Sequence, residues 1–199
     1  MLMEERFTHM AASGAWGSPE TPCGPGSTIE ACRCILERLP EWIRAHKIRS
    51  IVDIGCGDFH WMSRMDLSGI QYDGYDVVRF LVQRNAERYG RDNVRFHHAD
   101  LATLDVPLAD LVILKDVLIH LPTSMALEVV VRVLEARPRF LASTTAPGWP
   151  VSNRACMKIG EFSPIDLEAS PFQLRAPIGF VEVPHGAGRP VKHFALWRL

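Results

Sequence analysis

The stretch "SIVDIGCGDFHWM", residues 50–62, constrains this chain more than any other. Ile51, Val52 and Ile54 read as a strand buried on both faces, the habit of a parallel strand covered by helices. Gly55 and Gly57 follow at once, and glycine there lets the chain turn sharply and brings bare main chain against a ligand. A buried strand that runs straight into such a turn belongs to an open α/β sheet with a nucleotide-like ligand at the carboxyl ends of its strands.

The neighbouring segments repeat the pattern. Further strands are predicted at "GIQYDGYDVV", which ends near Asp76, and at "NVRFHHAD", "DLVILKD" and "RFLASTTA". Helical segments alternate with them. Ser27 and Glu30 make a capping box for a helix carrying Ile29, Cys32, Ile35, Leu36 and Leu39; Pro40 ends or kinks it, and Trp42 and Ile43 continue its apolar face. A helical turn is predicted around Trp61 to Met65 and an amphipathic helix over 78–89, with Gly90 as its C-terminal stop. In "SMALEVVVRVLEAR" the residues Leu127, Val130, Val131 and Leu134 define the apolar stripe. Strands that trade places with helices pair in parallel through crossovers, so the fold class is α/β, a doubly wound, mostly parallel sheet. "GFVEVP" and "KHFALWRL", joined by "HGAGR", add a C-terminal antiparallel hairpin.

A chain of 199 residues, 47% hydrophobic, has enough apolar content for one core, and the predicted organisation is a single domain over 1–199. Residues 1–27 form an irregular arm, Gly- and Pro-rich over 13–27, expected to close over the occupied ligand site. The span 147–177, with Pro147, Pro150, Pro164, Pro171 and Pro177, is a loop-rich insertion that serves as a lid or a substrate wall. The net charge of -1 carries no footprint for a nucleic-acid backbone or an anionic membrane, which favours a small-molecule partner. Glu4, Glu5 and Arg6 interrupt any signal peptide, no run approaches the roughly 18 apolar residues of a spanning helix, and a cytoplasmic location is expected. Cys23, Cys32, Cys34, Cys56 and Cys156 are odd in number and form no CxxC pair, so reduced thiols are expected and neither a disulfide framework nor a metal site.

Polar groups collect at the predicted strand ends. Gly55 and Gly57 close the first strand, and Asp76 closes the second at about the 20-residue offset where an acidic side chain meets a ribose. Asp100 closes the third, Lys115 and Asp116 the fourth. A dinucleotide site needs a third glycine, but His60 holds that position, and Asp53 and Asp58 would repel a pyrophosphate. Those carboxylates suit a ligand that bears an ammonium and a sulfonium. Asp53 either binds that ammonium or caps its own loop, and Asp58 either caps the turn or touches the ligand. Cys56, between the glycines, reads as a small packing residue. His97 and His98 lack the spacing of metal ligands.

Taken in order, "VDIGCGDFHWM", "YDGYDVV", "HHADL" and "DLVILKDVLIHLP" resemble the successive motifs of a class I S-adenosylmethionine-dependent methyltransferase over residues 50–122. The resemblance implies S-adenosyl-L-methionine as cofactor. It implies that Gly55, Cys56 and Gly57 border the methionine part, that Asp76 binds both ribose hydroxyls, that Asp100 meets the adenine amino group, and that Val77 and Leu101 sandwich the adenine. "GPGST" and "DFHWM" also resemble a group of small bacterial methyltransferases associated with glycan or secondary-metabolite pathways.

The end of the fourth strand is where the methyl acceptor is expected. If residues 116–120 make one helical turn, Asp116 and His120 share a face, Asp116 orients the imidazole, and His120 is a candidate general base. The alternative is that His120 caps or packs the turn before Pro122. Phe59 and Trp61 either line the acceptor pocket or belong to the core. In the insertion, Trp149, Asn153, Arg154, Lys158, Glu161 and Asp166 are candidates to recognise a polar acceptor, or else a solvated loop. The function expected is methyl transfer to a small polar oxygen or nitrogen acceptor; the rivals are methylation of RNA and cofactor binding without turnover.

Overall fold

The computed structural model describes residues 3–150, 152–153, 158–183 and 191–199. The chain divides into two compact units, Met1–Leu104 and Asp105–Leu199. Among the described residues the first unit has three strands in the order β3-β2-β1, all parallel, and the second has four in the order β4-β5-β7-β6, with antiparallel pairs among the last three, the mixed α/β sheet expected from the sequence.

In the first unit, α1 (Met3–Ser13) and α2 (Arg33–His46) precede β1 (Ser50–Ile54), β2 (Gln71–Asp76), α3 (Arg79–Tyr89) and β3 (Val94–His98). β2 is the centre, parallel to β1 on one side and β3 on the other, with Asp53 opposite Gly74 and Asp76 opposite His98. Ile51, Val52 and Ile54 are buried, as expected of a strand with no wet face.

Three local expectations are corrected. The first turns of the arm are helical, because Met3, Met10 and Ala11 recur on one buried face of α1. The Ser27–Glu30 capping box does not form: α2 starts at Arg33 after an N-cap at Cys32, Thr28 Oγ1 takes the Ala31 N–H at 3.2 Å, and Glu30 pairs with Arg33. Pro40 lies within α2 and does not end it. Gly90 stops α3 without a left-handed turn, at φ -60. It is needed for close approach, since a Cβ there would lie 2.4 Å from the Ala86 carbonyl oxygen.

The second unit holds β4 (Leu111–Leu114), α4 (Thr123–Glu135), β5 (Phe140–Thr145), β6 (Gly179–Val183) and β7 (Lys192–Arg198). β4 pairs with β5 in parallel; β7 runs antiparallel to both β5 and β6, so the closing hairpin is present, while its "HGAGR" connection lies outside the described residues. The buried stripe of α4 is Ala126, Val129, Val130 and Val133, rotated from the expected one, so that Val131 and Leu134 are exposed. Among the described residues, no helix is long and apolar enough to cross a membrane. The described cysteines Cys23, Cys32, Cys34 and Cys56 are free thiols; Cys156 lies outside the described residues.

Candidate functional site

After β1 the chain folds back on β2. The N–H groups of Gly55 and Cys56 both donate to the Tyr75 carbonyl, at 2.7 and 3.0 Å. Gly55 and Gly57 have φ values of 77 and 57, the left-handed region where a side chain is strained. Gly57 is gripped at both ends of its backbone: its N–H donates to Asp76 Oδ2 and its carbonyl accepts from Asn85 Nδ2, each at 2.8 Å. A Cβ at Gly57 would also lie 2.7 Å from Cys23 Sγ. Conformation and space both demand glycine here.

Asp76 therefore organises the loop as well as facing its edge. Oδ1 accepts the Val78 N–H at 2.8 Å. Burial pushes this carboxyl up, opposed by the N–H groups of Val78, Gly57 and Val77 and by His98. Val77 and Leu101 are buried, and Asp100 is half-buried, with Oδ1 accepting the Ala102 N–H at 2.8 Å. Asp53 Oδ2 accepts the Tyr72 hydroxyl at 2.7 Å. Cys56 is buried against Gly74, and burial raises its thiol well above the ordinary range, the behaviour of a packing residue.

The aromatic side of the loop is core. Phe59 has φ 58 and is 2% exposed, enclosed by Tyr72 and Tyr89 at 5.1 Å and by Phe96 edge-on at 5.0 Å. It does not line an acceptor pocket, because three rings already cover it. Trp61 is buried too. Asp58 is turned toward the arm, with Oδ2 taking the Thr21 hydroxyl at 2.8 Å and Oδ1 the His60 N–H at 3.3 Å.

In the second unit, residues 116–120 do not make one helical turn. Asp116 is left-handed at φ 55, its N–H donating to Thr144 Oγ1 at 2.9 Å, and only Leu118–His120 form a short 3-10 turn. The Asp116 carboxylate is claimed by two buried lysines, Lys115 at 2.8 Å and Lys192 at 2.7 Å. Burial alone would raise this acid, yet the two ammonium groups outweigh it and hold the carboxyl far below the ordinary range. His120 Nδ1 lies 3.3 Å from the Glu161 carbonyl. A carbonyl only accepts, so Nδ1 carries the hydrogen and the lone pair resides on Nε2. Burial lowers the His120 pKa below its ordinary 6.5, against the pull of Asp116.

The insertion is held by its own polar groups. Asn153 Nδ2 donates to the carbonyls of Asp166 and Ser170, at 2.7 and 2.9 Å, while Oδ1 takes the Asp166 N–H at 2.9 Å. Both amide hydrogens are used, so Asn153 has none for an acceptor. Asp166 takes N–H groups from Gly148, Glu168 and Ala169. Trp149 is half-buried, and Arg154 lies outside the described residues.

Sequence reasoning missed Asn85, Tyr72, Lys192 and Thr21, and offered Glu161 only as an acceptor contact, not as the carbonyl beside His120. Asn85 had a signal: it falls four residues after Leu81 and three after Val82, on the buried stripe of α3, where a polar side chain needs a partner. Lys192 begins an otherwise apolar strand. The others act through distant pairings that no local pattern encodes.

A buried strand, a doubly left-handed glycine turn and an acid at the end of the next strand are the parts of a class I methyltransferase. Residues 52–142, just under half of the chain, match the family model described as a methyltransferase domain. Over those residues the chain is similar to the methyltransferase domain, and its sheet has the Rossmann-like fold of the methyltransferase structures it resembles. Among solved structures it is similar to magnesium protoporphyrin IX methyltransferase from Synechocystis PCC 6803 with bound SAM, at 16% identity and a TM-score of 0.69, covering 100% of this chain and 98% of that one. It is also similar to the N-methyltransferase NodS from Bradyrhizobium japonicum WM9 in complex with S-adenosyl-l-homocysteine, at 12% identity and a TM-score of 0.67, covering 98% and 97%. No curated protein matches the sequence significantly.

Proposed function

We propose that this enzyme methylates a small polar acceptor at oxygen or nitrogen, with the cofactor seated on the loop from Gly55 to Asp58 and on the ends of β2 and β3. The observation that carries the reading is the Gly57–Asp76 grip. It holds the carboxylate through neutral backbone N–H donors, which fix it without cancelling its charge, so that charge stays available to ribose hydroxyls. The stretch 53–60 contains two aspartates and no lysine or arginine, which suits a cationic ligand and opposes a pyrophosphate. In this reading Val77 and Leu101 pack the adenine, Asp100 takes its amino group, and Gly55 and Cys56 border the methionine part.

The bound cofactor supplies an electrophilic methyl on a sulfonium, displaced in line by the acceptor. The enzyme's part is to hold the reactants in near-attack geometry and to receive a proton. His120 is proposed as that base, supported by an imidazole that burial keeps neutral and that Glu161 fixes in the tautomer with Nε2 unprotonated. Trp149 is proposed on the acceptor side. The small-molecule class is supported by the near-neutral charge and by the two similar structures, one a magnesium protoporphyrin IX methyltransferase and one an N-methyltransferase.

The test is incubation of the protein and its His120→Ala variant with methyl-labelled S-adenosylmethionine and a fractionated small-molecule extract. A labelled small product formed by the wild type supports the reading. Label found only in RNA, or no product with any fraction, contradicts it.

A further inference from the structure

The arm after α1 contains two residues that its Gly, Pro and Ser content gives no reason to bury, yet both are fixed against the glycine loop. Thr21 is 2% exposed and donates its hydroxyl to Asp58 Oδ2 at 2.8 Å, while Thr21 Oγ1 accepts the Cys23 N–H at 3.1 Å. Cys23 Sγ in turn accepts the Asp58 N–H at 3.3 Å and fills the space beside Gly57. Glu20 adds a bridge: its Oε1 lies 2.7 Å from His60 Nε2 and accepts the Ile29 N–H at 2.7 Å. At its other end, the arm is seated by Trp16, which stacks on Phe7 and packs with it and Cys23 on Val77, Val78 and Leu81.

The arm thus spans from the Val77 edge to Gly57 and Asp58, the two borders of the cofactor site in the reading above. Asp58 meets Thr21 through a charge-assisted hydrogen bond in a buried setting, the strongest polar contact the arm makes with the loop. We infer that Thr21 is a positioning residue of the cofactor site: it latches the arm to Asp58, holds Asp58 and the left-handed Gly57 before it in place, and must release for the cofactor to exchange. Asp58 is the receiving half of this latch rather than a cofactor contact. The inference rests on the cofactor reading only for what the latch encloses; the latch is a property of the arm and loop themselves.

Cys23 reports the latch directly, because opening the arm frees a half-buried thiol from Asp58 and Gly57. The experiment alkylates the full-length protein with N-ethylmaleimide and follows Cys23 by peptide mass spectrometry, alone and with saturating S-adenosylhomocysteine, in the wild type, Thr21→Val and Thr21→Ser. Thr21→Val keeps the shape and removes the hydroxyl; Thr21→Ser restores it. The latch predicts that Thr21→Val speeds Cys23 alkylation about tenfold and S-adenosylhomocysteine release by a similar factor, the worth of one charge-assisted hydrogen bond. Thr21→Ser should stay near wild type, and bound S-adenosylhomocysteine should protect wild-type Cys23. Equal alkylation in Thr21→Val and wild type, or equal defects in the Val and Ser variants, overturns the latch. Should Thr21→Val fail to fold, the wild-type comparison decides: no protection of Cys23 by bound S-adenosylhomocysteine overturns it. Failure of wild type to bind S-adenosylhomocysteine would instead sink the cofactor reading, leaving the ligand-free alkylation rates to judge the latch.

Discussion

Asp76 and Asp116 are both acids at the carboxyl ends of strands in the motif region, and their surroundings treat them in opposite ways. In the first unit, Asp76 is surrounded by neutral donors, the N–H groups of Gly57 and Val78, and burial raises its carboxyl. In the second, Asp116 is locked between Lys115 and Lys192 and held far below the ordinary range. Neutral donors fix a carboxylate in place without cancelling its charge; ammonium partners cancel it. Asp76 therefore keeps its charge, in line with the ligand role proposed for it, whereas Asp116 ties the ends of β4, β5 and β7 together.

The largest effect is expected away from both acids. His120→Ala should lower turnover by roughly 10²–10⁴-fold with little change in S-adenosylhomocysteine affinity, as for removal of a positioned base. Matched losses in turnover and melting temperature would reduce His120 to a structural residue. Asp116→Asn should come next, acting on stability, because it leaves Lys115 and Lys192 buried without their counter-charge. Breaking a buried pair from one side costs about 3–5 kcal/mol, or a fall in Tm on the order of 10 °C for a chain of this size. A Tm within about 2 °C of wild type, at roughly 0.5–1 kcal/mol, would erase the contrast between the two acids.

Asp76→Asn should reverse the signature. Its amide keeps the shape but surrenders the charge, so S-adenosylhomocysteine affinity should drop about tenfold to a hundredfold while most of the stability survives. Calorimetric binding and thermal unfolding on the same sample separate the two. The smallest effect concerns pH. Because folding lowers the His120 pKa below 6.5, the folded protein binds fewer protons there than the unfolded chain as pH falls through that value. Stability held above pH 6.5 is then lost progressively toward the lower folded pKa, and His120→Gln should flatten that part of the profile. Identical profiles from pH 7 to 5 would contradict it.

What could be read from the residues follows the range of the interactions. The buried strand at Ile51–Ile54, the glycine turn and the spacing to Asp76 are local patterns, and they survive in the structure with little change. The Asp116–His120 face failed because one left-handed residue breaks a helical spacing, and Asp116 adopts that conformation through Thr144, 28 residues away. Lys192 reaches Asp116 across 76 residues, and Thr21 reaches Asp58 across 37. Such pairings leave no period in the sequence. Phe59 was ambiguous for a related reason: an aromatic after a glycine turn serves a pocket or a core equally well until Tyr72, Tyr89 and Phe96 are seen around it.

The central claim is that the acidic, glycine-turned end of β1 and β2 is built for a sulfonium nucleoside. Titration calorimetry of the full-length protein with S-adenosylmethionine, S-adenosylhomocysteine and NAD tests it directly. The account predicts saturable binding of both sulfur ligands, weakened in Asp76→Asn, and NAD binding weaker by at least about a hundredfold, the cost of about 2.7 kcal/mol that a pyrophosphate would meet beside Asp53, Asp58 and Asp76. NAD bound as tightly as S-adenosylmethionine, or no binding of either sulfur ligand, would contradict it.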